Sequence, residues 1–281
     1  MKGIKIILLI LFTISICVGC NSSFSTNDIK IPDSKDTFKI VTLNVGKADC
    51  IIISYKDKNI MIDTGTINNK DTILNYLSNN NICTLDYLIL THYDKDHIGS
   101  ANKITKKINV INVLEPNYTK DSKEYRNLSN ALENKSLVPT IVTSNYHFNI
   151  EDSEFTVYPP LKSEYNSNSS NEFSLVISIK HGNNTFLLAG DAEGQRLTEL
   201  QNQMDLSHIF LKIPHHGETD NNSETFINDV NPKYAVITCS KEETPDKKLL
   251  KYLDKVKAKT YLSYNGTITA LSDGNNLVIS Q

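Results

Sequence analysis

The sequence predicts an α/β fold, a mixed domain with sheets covered by helices. Three observations lead there. From about residue 37 onward, short runs rich in β-branched and aromatic residues alternate with segments whose apolar residues recur at helical spacing. Several of the apolar runs stop abruptly at histidine or aspartate. Neither an internal repeat nor a second linker interrupts residues 37–281, which therefore read as one domain.

The N-terminus reads separately. Lys2 and Lys5 precede an apolar stretch from Ile6 to Gly19, shorter than the roughly 20 residues that a membrane span needs. Basic residues before a short apolar core are the layout of a secretory signal peptide, here residues 1–20. The stretch ends "ICVGC" and resembles a bacterial lipoprotein signal. That resemblance implies a lipid-modified Cys20 as the mature N-terminus and a membrane anchor, although Cys17 stands where such signals usually carry leucine. A plain cleaved signal, giving a secreted protein, and an uncleaved anchor are the alternatives. All three put the body of the chain outside the cytoplasm. Residues 21–36 are polar and without periodicity, as a flexible tether would be.

In the body, "FKIVTLNV", "CIIISY" and "NIMID" are short strands separated by turn residues. "DTILNYLSNN" spaces Ile73, Leu74 and Leu77 as a helix does. "LDYLIL" and "INVINVLE" are strands, and 121–134 carries Tyr125, Leu128 and Leu132 at helical spacing. "FSLVISIK", the turn "HGNN" and "TFLLAGD" form a hairpin. A helix (193–204), a strand ("HIFLKIP"), a helix (222–229), a strand ("YAVITC"), a helix (246–256) and closing strands complete the chain. Residues 159–172, "PPLKSEYNSNSSNE", form the one long irregular stretch, of a kind that is usually functional or disordered.

A formal net charge of −3 gives no electrostatic case for nucleic-acid binding of the sort a basic excess provides. The lysines of 247–259 read as a solvated helix face. Cys50, Cys83 and Cys239 are too widely spaced for a disulfide framework or a zinc finger. Flanked by apolar residues, all three read as buried free thiols.

The chemistry lies at the strand ends. "LDYLILTH" stops at His92, with Asp94, Asp96 and His97 following; "TFLLAGD" stops at Asp191, "HIFLKIPHHG" at His215 and His216, and "NIMIDTG" at Asp63. If these strands share sheets, their ends meet at one edge, where ligand sites of α/β sheets lie. Carboxylates and imidazoles gathered there repel, or stay unsatisfied, unless a cation holds them. "GD", "HHG" and "DTG" are each weak signals alone. The loop from His92 to His97, with two histidines and two aspartates, is a strong one, and the set reads as a metal site.

"HYDKDHIG" resembles the metallo-β-lactamase superfamily signature His-x-His-x-Asp-His, with Asp94 in place of the second histidine. That variant is similar to the hydrolase domain of ComEC-type competence proteins, which mediate DNA uptake. The likeness extends over "NVGKAD" (44–49), "IDTG" (62–65), an Asn-x-x-Ser-Leu-Val strand (171–176), "LLAGD" (187–191) and "LKIPHHG" (211–217), nearly the whole chain after the tether. The departures are Asn44 for an aspartate, Lys47–Ala48 for Gln–Gly, Glu218 where serine is usual, and Thr244–Pro245 where the family often has His-Pro. The family's membrane-channel segments are not in this sequence, so the chain is not expected to transport DNA itself.

The resemblance implies an αββα sandwich of metallo-β-lactamase type, a two-metal centre and phosphodiester hydrolysis. Carried over position by position, His92, Asp94, Asp96, His97 and Asp191 are metal ligands, with Asp191 bridging; Asp96 and Asp191 would be the catalytic pair. One of the adjacent histidines completes the set. Neighbouring side chains of an extended segment point to opposite sides, so His216 is expected and His215 is the alternate. Asp63 is expected to orient a ligand histidine. Asn171 lies near where many members place a further ligand histidine, which would leave one ion loosely held. Lys212 and Tyr93 are candidate substrate contacts, although Lys212 also fits an outward-facing strand lysine. No general acid stands out; His147, His181 and His208 are candidates by residue type alone.

Asp94 in place of an imidazole hardens the site toward manganese or magnesium, with zinc also able to bind. Three carboxylates against two divalent ions leave a formal charge of +1, which suits an anionic phosphodiester and would acidify a water for in-line attack on phosphorus. The expected function is an extracytoplasmic metal-dependent phosphodiesterase or nuclease, with DNA as one candidate substrate. The alternatives are a hydrolase of another ester (phosphorylcholine ester, lactone or thioester) and a non-catalytic, metal-stabilised binding module.

Overall fold

The computed structural model of the protein describes residues 30–165, 167 and 169–281. The expected signal peptide, Cys20 and most of the expected tether lie outside the described residues. Strands β1 (Phe38–Thr42), β2 (Ile51–Tyr55) and β3 (Lys58–Ile62) form an antiparallel meander. Then come α1 (Lys70–Asn79), β4 (Thr84–Ile89), the short α2 (Lys95–Ile98), α3 (Ala101–Lys107), β5 (Asn109–Pro116), α4 (Lys123–Asn134) and β6 (Thr140–Val142). Here β3 to β6 run parallel, so each crossover carries its chain over one face of the sheet. Ser122 starts α4 by accepting the Tyr125 amide at 3.1 Å.

A second sheet repeats the plan. Strands β7 (Tyr146–Ile150), β8 (Ser153–Tyr158), β9 (Val176–His181) and β10 (Asn184–Leu188) are antiparallel. They lead into α5 (Gln195–Gln203), β11 (Phe210–Lys212), α6 (Ser223–Val230), β12 (Tyr234–Ile237), α7 (Lys247–Lys255) and β13 (Lys259–Leu262), with β10 to β13 parallel. Finally β14 (Ile268–Ser272) and β15 (Leu277–Ser280) return to pair beside β1. Among the described residues the sheets have eight strands, ordered β15-β14-β1-β2-β3-β4-β5-β6, and seven, ordered β13-β12-β11-β10-β9-β8-β7.

Side-chain alternation sorts the core into three layers. In β1 and β2, Phe38, Ile40, Ile51 and Ile53 face the other sheet, where they meet Phe155, Ile177, Phe186 and Phe210. The intervening Val41 and Ile52 face outward beneath Ile73, Leu77, Ile104 and Leu128 of α1, α3 and α4. Leu187, Leu211 and Ala235 face outward from the other sheet beneath Leu197, Phe226 and Leu253 of α5, α6 and α7. Strands buried on both faces carry near-continuous apolar runs, as these do. The architecture is an αββα sandwich.

Several details differ from expectation. "YHFNIEDSEFTVY" is a hairpin, β7–β8, that the sequence reading does not anticipate; β7 is an edge strand with only Ile150 buried, so its apolar signal is weak. "HIFLKIP" keeps three strand residues, because Pro214 opens a 3-10 turn over Pro214–Gly217. Cys50 and Cys239 are buried, but Cys83 is exposed: Ile82 is the residue its turn buries. The stretch 159–172 is pinned by Tyr165, whose hydroxyl donates to Glu199 at 2.8 Å. Fully buried Arg196 donates to the carbonyls of Tyr158 and Ser174 at its two ends, at 2.8 and 3.1 Å. Among the described residues no helix is long and apolar enough to cross a membrane.

Phe38 is the hub of the inter-sheet core, with Phe186 at 5.6 Å, Tyr55 at 5.7 Å and the His181 ring stacked at 4.9 Å between centroids. Phe38→Ala is expected to cost about 3–5 kcal/mol of unfolding free energy, read from urea denaturation. Burial holds the His181 imidazole below its ordinary range. The folded state therefore binds this proton less readily than the unfolded one, and stability falls as pH drops below about 6.5. The stability of the wild type relative to His181→Gln should fall between pH 7.5 and 5.5 in denaturation experiments, a difference that isolates this contribution from those of the other histidines.

Candidate metal centre

The C-terminal ends of the parallel strands of both sheets meet at one edge, and the chemistry-bearing residues lie in the loops just beyond them. Asp63 follows β3 with φ 57, a left-handed conformation that aspartate tolerates better than most residues. Its carboxylate accepts the Thr91 amide at 2.8 Å and the Thr91 hydroxyl at 2.7 Å, which fixes the exit from β4. The same carboxylate lies 2.7 Å from Nδ1 of His97. Gly190, between β10 and Asp191, has φ +53, and a Cβ there would come within 3.0 Å of Thr91. Close approach of the two sheets at this point therefore requires glycine.

Asp191 is buried at the middle of the cluster. His97 Nε2 is 3.1 Å, His216 Nε2 3.2 Å and His92 Nε2 4.0 Å from its Oδ2. His216 Nε2 is also 3.5 Å from Asp96 Oδ2, and His92 Nε2 is 3.8 Å from Asp94 Oδ1. His216 is oriented through Nδ1, 2.9 Å from Thr238 Oγ1 and 3.1 Å from Thr238 O. The Nε2 atoms of His92, His97 and His216, together with Asp191 Oδ1, are buried without a hydrogen-bond partner. His97 and His216 Nε2 approach Asp191 Oδ2 without hydrogen-bond geometry, and four such polar atoms clustered in a protein interior are costly unless a cation takes their lone pairs.

Asp96, His97, Asp191 and His216 each offer a ligand atom within 4.8 Å of the others, so the donor set fits a divalent ion. Asp49, Asp63 and His97 form a second group at the same spacing, but its oxygens are already engaged. Asp63 is held by Thr91 and His97, and Asp49 by Thr238 at 2.6 Å and by the Lys212 ammonium.

The electrostatics follow from this crowding. Burial alone would keep His97 and His216 neutral, but the Asp191 carboxylate prevails. It holds His97 well above its ordinary range and His216 at about 9. Burial, with His97 alongside, instead pushes His92 down to about 3. Asp191 stays well below the usual carboxylate range despite its burial, because His216 and His97 flank it. Lys212 likewise keeps its proton against burial through Asp49 and Asp191.

His92, Asp94, Asp96, His97, Asp191 and His216 are thus brought together. His215 is not among them: its Nδ1 is 2.9 Å from Glu193 and its Nε2 is 3.2 Å from the Asn171 amide. The adjacent histidines are not extended, having φ 47 and 52 in the 3-10 turn, yet their rings diverge by 59°. In that turn Gly217 packs so tightly that a Cβ would meet Pro245 at 2.5 Å.

Two expected substrate contacts are corrected. Lys212 is fully buried and donates to Gly190 O at 2.9 Å, since β11 lies between two other strands and is covered on both faces. Tyr93 is buried with its hydroxyl donating to Glu115 at 3.0 Å. His181 and His208 bond Ser272 and Ser178, each at 2.7 Å, near the opposite strand ends, and His147, on the edge strand β7, bonds Thr156 of β8. Thr244 is exposed. Sequence reasoning misses Asp49, Thr91, Lys120 and Thr238. The first was visible as the acidic end of "NVGKAD"; the other three carry no signal that their composition would reveal.

A profile described as the metallo-beta-lactamase superfamily matches residues 43–240. The chain is 27% identical over 250 residues to ComE operon protein 3 of Bacillus subtilis (strain 168), covering 80% of this chain and 32% of that one. It is 28% identical over 210 residues to Recombination protein 2 of Haemophilus influenzae, covering 73% of this chain and 24% of that one. It therefore spans roughly a quarter to a third of these relatives' length. The solved metallo-beta-lactamase fold protein YhfI from Bacillus subtilis superposes with a TM-score of 0.53 at 11% identity, covering 87% of this chain and 100% of that one. With the αββα layers, the ligand-bearing strand ends and the profile match in agreement, the chain belongs to the metallo-β-lactamase superfamily.

Proposed function

We propose that this member is a metal-dependent phosphodiesterase that acts on a nucleic-acid strand, DNA foremost, outside the cytoplasm, where Cys20 would carry a lipid anchor. The observation that carries the reading is the set of buried, unpartnered atoms on His92, His97, His216 and Asp191. Asp96, His97, Asp191 and His216 would hold a divalent ion, with manganese, zinc or magnesium as the candidates. When bound, such an ion supplies electrophilic activation of a phosphoryl oxygen and acidifies water toward a pKa of roughly 7.

The chain's own residues prepare for that chemistry. Asp63 on His97 Nδ1 and Thr238 on His216 Nδ1 leave both Nε2 atoms as donors toward the centre. Beside Asp94 opens a groove of about 830 Å³, lined by Tyr118, Lys120, Tyr165 and Phe173 among others. Tyr118 and Phe173, stacked at 4.5 Å, line the groove with aromatic surface, and Lys120 stands ready for a phosphate. Recombination acts on DNA, so the likeness to Recombination protein 2 favours a polynucleotide over a small ester. This local character outweighs the overall charge of −3, which argues only against binding by a general basic surface.

Hydrolysis of bis-p-nitrophenyl phosphate with manganese, magnesium or zinc tests the reading, and turnover should vanish with a chelator and in Asp96→Ala. No turnover with any metal, from a folded and metal-loaded sample, would sink the phosphodiesterase reading and leave a narrower esterase or a non-catalytic module. Asp63→Asn should weaken metal affinity about 10–100-fold by loosening the His97 ring, measured by calorimetric titration; unchanged affinity would remove Asp63 as the group that orients His97.

A further inference from the structure

The two halves of the centre are unequal. On one side Asp96, His97, Asp191 and His216 gather four ligand atoms, and the Nε2 atoms of His97 and His216 have no hydrogen-bond partner. On the other side His92 Nε2 faces Asp94 Oδ1 at 3.8 Å and Asp191 Oδ2 at 4.0 Å. That same Asp94 oxygen already accepts from the Lys120 ammonium and from the Ser170 hydroxyl, and Lys120 Nζ is 3.0 Å from Ser170 Oγ. Asn171, beside Ser170, is engaged elsewhere, with its amide 3.2 Å from His215 Nε2.

The charge of Asp94 is therefore met by a cation that belongs to the chain. A divalent ion entering this half would have to dislodge the ammonium or sit against a like charge, with His92 Nε2 and Asp191 Oδ1 as the unpartnered ligands it would find. We propose that the centre holds a single tightly bound divalent ion, on Asp96, His97, Asp191 and His216, and that Lys120 occupies the other half and keeps a second ion out. The inference rests on the reading of this cluster as a metal site. It departs from the expectation of two resident ions. Lys120 is also partly open to the groove, with 32% of its side chain exposed, so its remaining donor can meet a phosphoryl oxygen. The ammonium then serves an anionic substrate where a second metal would otherwise have stood.

The test is metal stoichiometry of the full chain, loaded with excess manganese, desalted, and measured by elemental analysis and electron paramagnetic resonance. One manganese per chain with the spectrum of an isolated ion is expected. Two per chain with the spectrum of an exchange-coupled pair would overturn the proposal. No bound metal would overturn it together with the metal-site reading, so the two failures are distinguishable. Lys120→Ala is expected to admit a second ion on titration, while Lys120→Arg, which keeps the charge, should remain at one. Lys120→Ala that still takes only one ion would remove Lys120 as the excluding group, and retention of the first ion in each variant reports an intact fold.

Discussion

Asp191 sets the constraint on which the upper edge of the sandwich depends. A carboxylate buried between two sheets is tolerated only if cations surround it. Here His97, His216 and Lys212 all lie within 3.6 Å of it. Each of those groups is in turn fixed by another: Asp63 on His97, Thr238 on His216, Asp49 on Lys212. The edge is therefore a network in which no charge stands alone, except at the atoms that turn toward the shared centre.

The same network joins the sheets. Asp49 comes from the β1–β2 loop of one sheet and meets Lys212 of β11 and Thr238 beyond β12 of the other. Leu175 donates its amide to Thr91 O at 2.9 Å across the same boundary. The opposite end of the sandwich is held differently, by Phe38 packed among aromatic rings and by the His181–Ser272 contact. Polar links rigidify the end that does chemistry, and apolar packing supplies stability through the middle and below.

Much of this was legible in the residues. Apolar runs buried on both faces, with a histidine or aspartate at their ends, imply parallel strands that deliver ligands to one edge. The adjacent histidines were not legible in geometry: two positive φ values after Pro214, rather than an extended chain, separate His215 from His216. Lys212 looks like a surface lysine because a strand's neighbours cannot be read from its own three residues. Lys120 is invisible for a related reason. It lies 26 residues from Asp94 and reaches it only because β5 runs beside β4, a pairing that no local pattern encodes.

The account stands most directly on whether the unpartnered atoms around Asp191 take a divalent ion. Anomalous diffraction from crystals of the manganese-loaded protein answers that. The predicted result is a peak within coordinating distance of the Nε2 atoms of His97 and His216 and of an Asp191 oxygen. A metal-loaded crystal with no peak there, or with its peak between Asp49 and Asp63, would contradict the account.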